Sequence, residues 1–227
     1  MSKGKTLITV LSVHVGARQT IAVGQRSVTT GIFKARMADP VTVTHLGLDH
    51  DAVCDHRHHG GVDQAVYVYT EEDYAFWARQ YRRPFAPGGF GENLVVRGLD
   101  AAALAIGDRV HLSNLTLEVS APRIPCGILA AAIPEKGFGQ AFQKAARPGF
   151  YCRVIRPGSV AAGDEGWLEA YSGPANTLLS VYQANYQTPA PDQLLKLLAL
   201  PIDQRTRKKF EKEVAKRAKP ILSPRPQ

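Results

Sequence analysis

Short apolar stretches, several alternating with polar residues, recur along most of this chain. Residues 6–13 (TLITVLSV) alternate weakly and are rich in β-formers, and residues 41–46 run Val, Thr, Val, Thr before an apolar end. Residues 64–69, 109–112, 115–120, 151–155 and 168–171 are also short and strand-like. Ser113-Asn114, between two of these runs, predicts a tight hairpin. The spacing is irregular, several loops are long, and no unbroken βαβ alternation is present. The pattern therefore predicts a mainly β domain with helices, an α+β chain built on a distorted barrel, and argues against a doubly wound sheet.

Helical periodicity interrupts the strands. Thr70 is placed to cap a helix in which Tyr74, Trp77, Ala78 and Tyr81 fall on one face. Phe138, Ala141, Phe142 and Ala145 mark a second helix, expected to end at Arg147-Pro148-Gly149. A boundary is expected near Ser172-Gly173-Pro174, dividing a β-barrel domain (1–171) from a three-helix extension (172–219) and a loose tail (220–227). The extension reads as helices around 178–186, 192–200 and 204–219, with Asp192 as an N-cap. Three helices of that size have a small core, so they must dock on the main domain or on a second copy, which allows a homodimer.

Composition narrows the class. Of 227 residues 44% are hydrophobic, an ordinary share for a chain with a real core. No apolar run reaches the roughly 20 residues needed to span a bilayer, so no membrane partner is expected. The N-terminus shows no convincing cleavage site, and three cysteines do not suggest a disulfide framework; a cytoplasmic location is expected. The formal charge is +8, but residues 203–219 hold eight Lys/Arg against three Asp/Glu. That concentration reads as one solvated helix face and argues against nucleic acid as the partner.

The candidate chemistry lies in loops. In Pro122-Arg123-Ile124-Pro125-Cys126 a thiol follows two prolines and an arginine, at the end of a strand-like run. Proline removes a backbone donor, so the segment is expected to leave the sheet as a stiff loop. A nearby guanidinium favours the thiolate, the form that ligates metals and attacks electrophiles. Cys152, inside a strand-like run, reads as packing, and Cys54 has no assigned role. The run Cys54-Asp55-His56-Arg57-His58-His59 lacks paired metal-ligand spacing; of it only His59 is taken as a site residue, because Gly60-Gly61 lets backbone approach a ligand.

Three further motifs complete the pattern. They are His59-Gly60-Gly61-Val62-Asp63-Gln64-Ala65-Val66-Tyr67, Phe90-Gly91-Glu92-Asn93-Leu94 and Thr30-Gly31-Ile32-Phe33-Lys34, followed by the turn Ile106-Gly107-Asp108-Arg109. Taken in their order along the chain, with Pro-Arg-x-Pro-Cys, they resemble the MOSC family, and its YiiM-like branch most of all. The resemblance covers roughly residues 5–170, and the helical tail is similar to the three-helix extension of that branch. One motif departs from the family: its usual Gly-Leu-x-Gly-Asp reads Gly47-Leu48-Asp49-His50-Asp51, which sets a histidine where glycine would allow positive φ.

The resemblance implies a MOSC-type barrel that binds the pterin-based molybdenum cofactor, with Cys126 as a thiolate ligand to molybdenum. A soft thiolate suits a metal held by dithiolene sulfurs. The implied reaction is reduction of N-hydroxylated purine bases or amines, with electrons from a separate reductase because no flavin or iron–sulfur pattern is visible. His59 would donate a proton or position the departing oxygen. Lys34, Gly60, Asn93 and Arg123 would hold the cofactor, and Asp63 would do so or orient His59 or Arg123. Glu92 and Asn93 also read as a turn held by local side-chain bonds. The other reading is a sulfur or molybdenum-cofactor carrier with the same thiol and no turnover.

Overall fold

The structure is a computed structural model and describes residues 6–218. Thirteen strands form around one closed barrel: β1 (Leu7–Gly16), β2 (Gln19–Val23), β3 (Arg26–Thr30), β4 (Lys34–Arg36), β5 (Val41–Thr44), β6 (Gly47–Leu48), β7 (Val66–Thr70), β8 (Leu94–Arg97), β9 (Arg109–Leu112), β10 (Thr116–Pro122), β11 (Phe150–Arg156), β12 (Gly158–Val160) and β13 (Glu165–Glu169). The barrel order is β13-β9-β10-β11-β7-β8-β1, closed by pairing of β1 with β13, with β4 added beside β1. Closure removes free edges, which suits strands this short.

Alternation is visible in β1, where inward positions Ile8, Val10 and Val13 are fully buried. The Ser113-Asn114 hairpin forms, with Thr116 opposite His111. Where the sequence predicts a loop from Pro122 onward, β10 continues to Pro122, which sits opposite Phe150. The proline is accommodated because it is the strand's last residue. Glycine in the Ile106–Arg109 turn takes φ 95. His50 does adopt φ 65, the conformation the usual glycine would take, and does so on the exposed surface.

Among the described residues six α-helices lie outside the barrel: α1 (Glu71–Tyr81), α2 (Gly127–Ala132), α3 (Phe138–Ala145), α4 (Leu178–Ala184), α5 (Pro191–Leu198) and α6 (Gln204–Ala218). The Thr70 side chain accepts from the Asp73 amide and starts α1 as expected. That helix makes the crossover between β7 and β8, which pair in parallel. The α3 helix stops at Ala146 in a left-handed turn, just before Arg147. In α5 the first-turn residue Pro191 displaces the expected cap: Ala190 holds the N-cap position, and Asp192 lies inside the first turn.

Two apolar clusters result. One fills the barrel and extends without a break to Leu178, Val181, Leu194, Leu197, Ile202 and Phe210 of the tail. The tail is thus docked on the barrel and shares its core. The other is aromatic, with Trp77 stacked on Phe142 at 5.7 Å beside Tyr67, Tyr69, Phe90 and Tyr151. It forms a rigid bed under the loop that follows β10. The expected loose tail, residues 220–227, lies outside the described residues.

Candidate functional site

A cleft opens where the β3–β4 loop, the 51–60 loop and the segment after β10 meet. It encloses about 660 Å³ of non-atom space, its open mouth included. Lys34, His59, Gly60, Asn93, Arg123 and Cys126 all line it. Asp63 does not. The short 3-10 turn Val62–Gln64 directs its carboxylate to the Arg153 Nε at 3.0 Å and to the Gln204 amide at 2.9 Å. Asp63 therefore ties the barrel to α6, and the expectation that it holds a cofactor or orients His59 or Arg123 is corrected.

Cys126 is the N-cap residue of α2, partly buried, with its sulfur in the cleft. Burial pushes its thiol up, but the His59 hydrogen bond and the Arg123 charge, helped by the Leu129 amide, outweigh burial and bring it down to about 6. Near neutral pH this sulfur is a thiolate. Cys152 is the opposite case, with burial holding it protonated. The Tyr151 hydroxyl also lies 3.4 Å from His59 Nδ1.

Arg123 is 4% exposed, and its Nε and Nη1 have no partner in the protein. Its guanidinium lies 5.1 Å from the Tyr67 ring centre and 6.0 Å from that of Phe142. Burial works against its charge, but the Tyr67 and Tyr151 oxygens and the Cys126 sulfur hold it firmly cationic. A buried cation with donors unmet is costly unless something in the cleft completes it. That orphaned fork fits a planar or anionic ligand.

Lys34 and Asn93, expected to hold a cofactor, line the cleft with polar groups already engaged by the protein. Lys34 Nζ sits 2.5 and 2.7 Å from the Asp51 carboxylate oxygens, with both side chains largely buried. Asn93 accepts from the Tyr67 amide at 3.0 Å and donates to Asp51 at 2.9 Å and to the His14 carbonyl at 3.3 Å. Both thus converge on Asp51, which also takes the Gly16 amide at 2.6 Å. Asp51 closes the unusual Gly47–Asp51 motif, and its role was missed because its partners are remote in sequence. Glu92 holds its own turn through the Gly88 and Phe90 amides and the Tyr74 hydroxyl.

The rest of the 51–60 loop also became clear only in three dimensions. Gly60 has φ 67, and a Cβ there would meet Val53 at 2.8 Å, so the glycine is required. Cys54 lines the cleft too. His58 pairs with Asp55 at 2.8 Å, and among the described residues no three His, Cys, Asp or Glu side chains gather as a metal site. The loop is gripped by Arg205 of α6, which no local pattern suggested: its guanidinium donates to the carbonyls of His56, Arg57, His59 and Gly60.

One closed barrel thus carries, in one cleft, a thiol brought down to about 6, an imidazole and a buried guanidinium with two donors that meet no partner among the described residues. Residues 55–166 match the MOSC domain model, and the chain belongs to the MOSC domain family. It is 37% identical over 154 residues to the uncharacterized protein YflK of Bacillus subtilis, covering 68% of this chain and 70% of that protein. It is 30% identical over 160 residues to a reductase of Gibberella moniliformis, covering 68% of this chain and 28% of that longer protein. The crystal structure of YiiM from Geobacillus stearothermophilus superposes with a TM-score of 0.75 at 27% identity, covering 91% of this chain and 99% of that one. Among the described residues no helix is long and apolar enough to cross a membrane.

Proposed function

We propose that this protein binds the molybdenum cofactor in the cleft and reduces N-hydroxylated purine bases or amines, with electrons from a separate reductase. The observation that carries the reading is the pairing of a depressed thiolate at Cys126 with the unmet donors of Arg123. A soft thiolate suits molybdenum, and the guanidinium fork suits the cofactor's anionic or planar part. The general association of MOSC domains with this cofactor and the reductase relative agree with it. When bound, the group would supply the two-electron redox couple.

The chain's own residues do the rest. Cys126 would ligate the metal, and Arg123 and the Gly60 backbone would hold the cofactor, with the cleft wall fixed by the Lys34–Asp51–Asn93 cluster. Reduction of R–NH–OH takes two electrons and two protons, breaks the N–O bond, and releases R–NH2 and water. The His59 imidazole, with the Tyr151 hydroxyl 3.4 Å from Nδ1, would deliver a proton to the departing oxygen.

The test is turnover. Protein made in a cofactor-competent host is given a dithionite-class reductant and an N-hydroxylated purine, and the amine product is quantified. Wild type should form it and Cys126→Ser should not, while His59→Ala should be slowed by about a hundredfold or more. Fully loaded wild type that forms no amine from any N-hydroxylated base or amine would overturn the enzyme reading and leave a cofactor carrier.

A further inference from the structure

We propose that Arg205 is a positioning residue of the cleft, through which α6 fixes where the His59 imidazole stands. Its guanidinium is committed to one loop: Nε to the Arg57 carbonyl at 3.0 Å, Nη1 to Gly60 at 2.9 Å, and Nη2 to His56 at 2.9 Å and His59 at 3.0 Å. Two of these carbonyls belong to His59 and the residue after it, so the backbone that carries the imidazole is held beside the side chain's own attachment. The backbone amides of Arg57, His58 and His59 bond only within the loop, to Asp55. Gly60 and Gly61, at φ 67 and 79, supply little stiffness of their own. Arg205 ties the loop's backbone carbonyls from outside the loop.

Arg205 is itself registered to the other half of the site. The Asp203 side chain caps α6, taking the Arg205 amide at 3.1 Å and the Thr206 amide at 3.2 Å. The Asp203 amide donates to the Ser120 carbonyl at 3.0 Å, on the strand that leads into Arg123 and Cys126. A continuous path therefore runs from β10 through Asp203 and Arg205 to the His59 loop. It sets the imidazole against the thiolate and Tyr151, so the tail is part of the site and not an appendage. Lysine cannot replace this arginine, because one ammonium cannot span carbonyls spread along the loop. The inference rests on His59 serving the cleft as proposed above, but its test needs neither cofactor nor substrate.

The experiment uses the full-length chain from a host that makes no cofactor, with histidine rings isotopically labelled. In the wild type, His59 should show through-space contact with the Tyr151 ring. Arg205→Ala should abolish that contact and move the His59 signal to that of a solvent-exposed histidine. Arg205→Lys, which keeps the charge and the helix, should do the same. Arg207→Ala removes a guanidinium from the same helix that holds only the Leu198 and Leu200 carbonyls, and should leave His59 unchanged. As a second readout, the ultraviolet thiolate signal of Cys126 at pH 7 should fall about twofold or more in Arg205→Ala. It should fall no further when His59→Ala is added. An unmoved His59 signal in both Arg205 variants, or an equal disturbance from Arg207→Ala, overturns the proposal. Absence of turnover in the functional assay would leave it standing.

Discussion

Replacing Arg123 with methionine should make the ligand-free protein more stable. The guanidinium is 4% exposed, and its Nε and Nη1 are unmet. A buried unsatisfied donor costs about 1–3 kcal/mol, so two cost roughly 2–6 kcal/mol. Against this stands the attraction to the rings of Tyr67 and Phe142, 5.1 and 6.0 Å away, worth about 0.5–2 kcal/mol. Methionine keeps much of the stem's packing on the aromatic bed. Without its cation, the Cys126 sulfur takes up a proton and is not left as a bare buried charge. Part of the thiolate's own contribution at pH 7, about 1 kcal/mol, goes with the cation, so the net is a gain of about 1 kcal/mol, and for a chain of this size that raises the melting midpoint by roughly 2–4 °C. Urea and thermal unfolding in a buffer free of phosphate and sulfate measure it. Binding of the cofactor should be lost in the same variant, a trade of function for stability. A drop of several degrees would refute the reasoning, since it would mean that Arg123 is already satisfied by the fold and is not held open for a ligand.

Other consequences follow from the same geometry. Lys34→Met strands the Asp51 carboxylate and should cost about 3–5 kcal/mol in urea unfolding, much of it recovered by adding Asp51→Asn. Alkylation of Cys126 should rise with pH about a midpoint near 6, down from the ordinary 9.0. Because the folded value is the lower one, the thiolate's contribution to stability is complete above about pH 9, shrinks from there down to pH 6 and is gone below it; Cys126→Ser should lack that slope. Asp63→Asn should lower stability by about 1–3 kcal/mol in urea unfolding through its lost hold on Arg153 and α6.

Much of the barrel was legible because fully buried positions alternate with partly buried ones in strands such as β9 and much of β1, while β7 and β10, buried throughout, read as short runs of β-formers. The ribbon of β2 and β3 was not, because it pairs with itself and stays largely exposed, and so carries no apolar alternation. The Pro-Arg-x-Pro-Cys segment announced its chemistry through residue types alone, and Arg123 and Cys126 do meet His59 in one cleft. Asp63 was misread because closeness to His59 in sequence says nothing of direction once a 3-10 turn intervenes. Asp51 and Arg205 were invisible for the opposite reason. Each acts on residues far away along the chain, Asp51 on Lys34 and Asn93, and Arg205 on a loop 145 residues or more upstream.

The most direct measurement is the molybdenum and pterin content of wild type and Cys126→Ser, both made in a cofactor-competent host. Molybdenum by elemental analysis and pterin by fluorescence after oxidation should both be present in the wild type, with molybdenum reduced or lost in the variant. Wild type carrying neither molybdenum nor pterin under those conditions would contradict the assignment of the cleft.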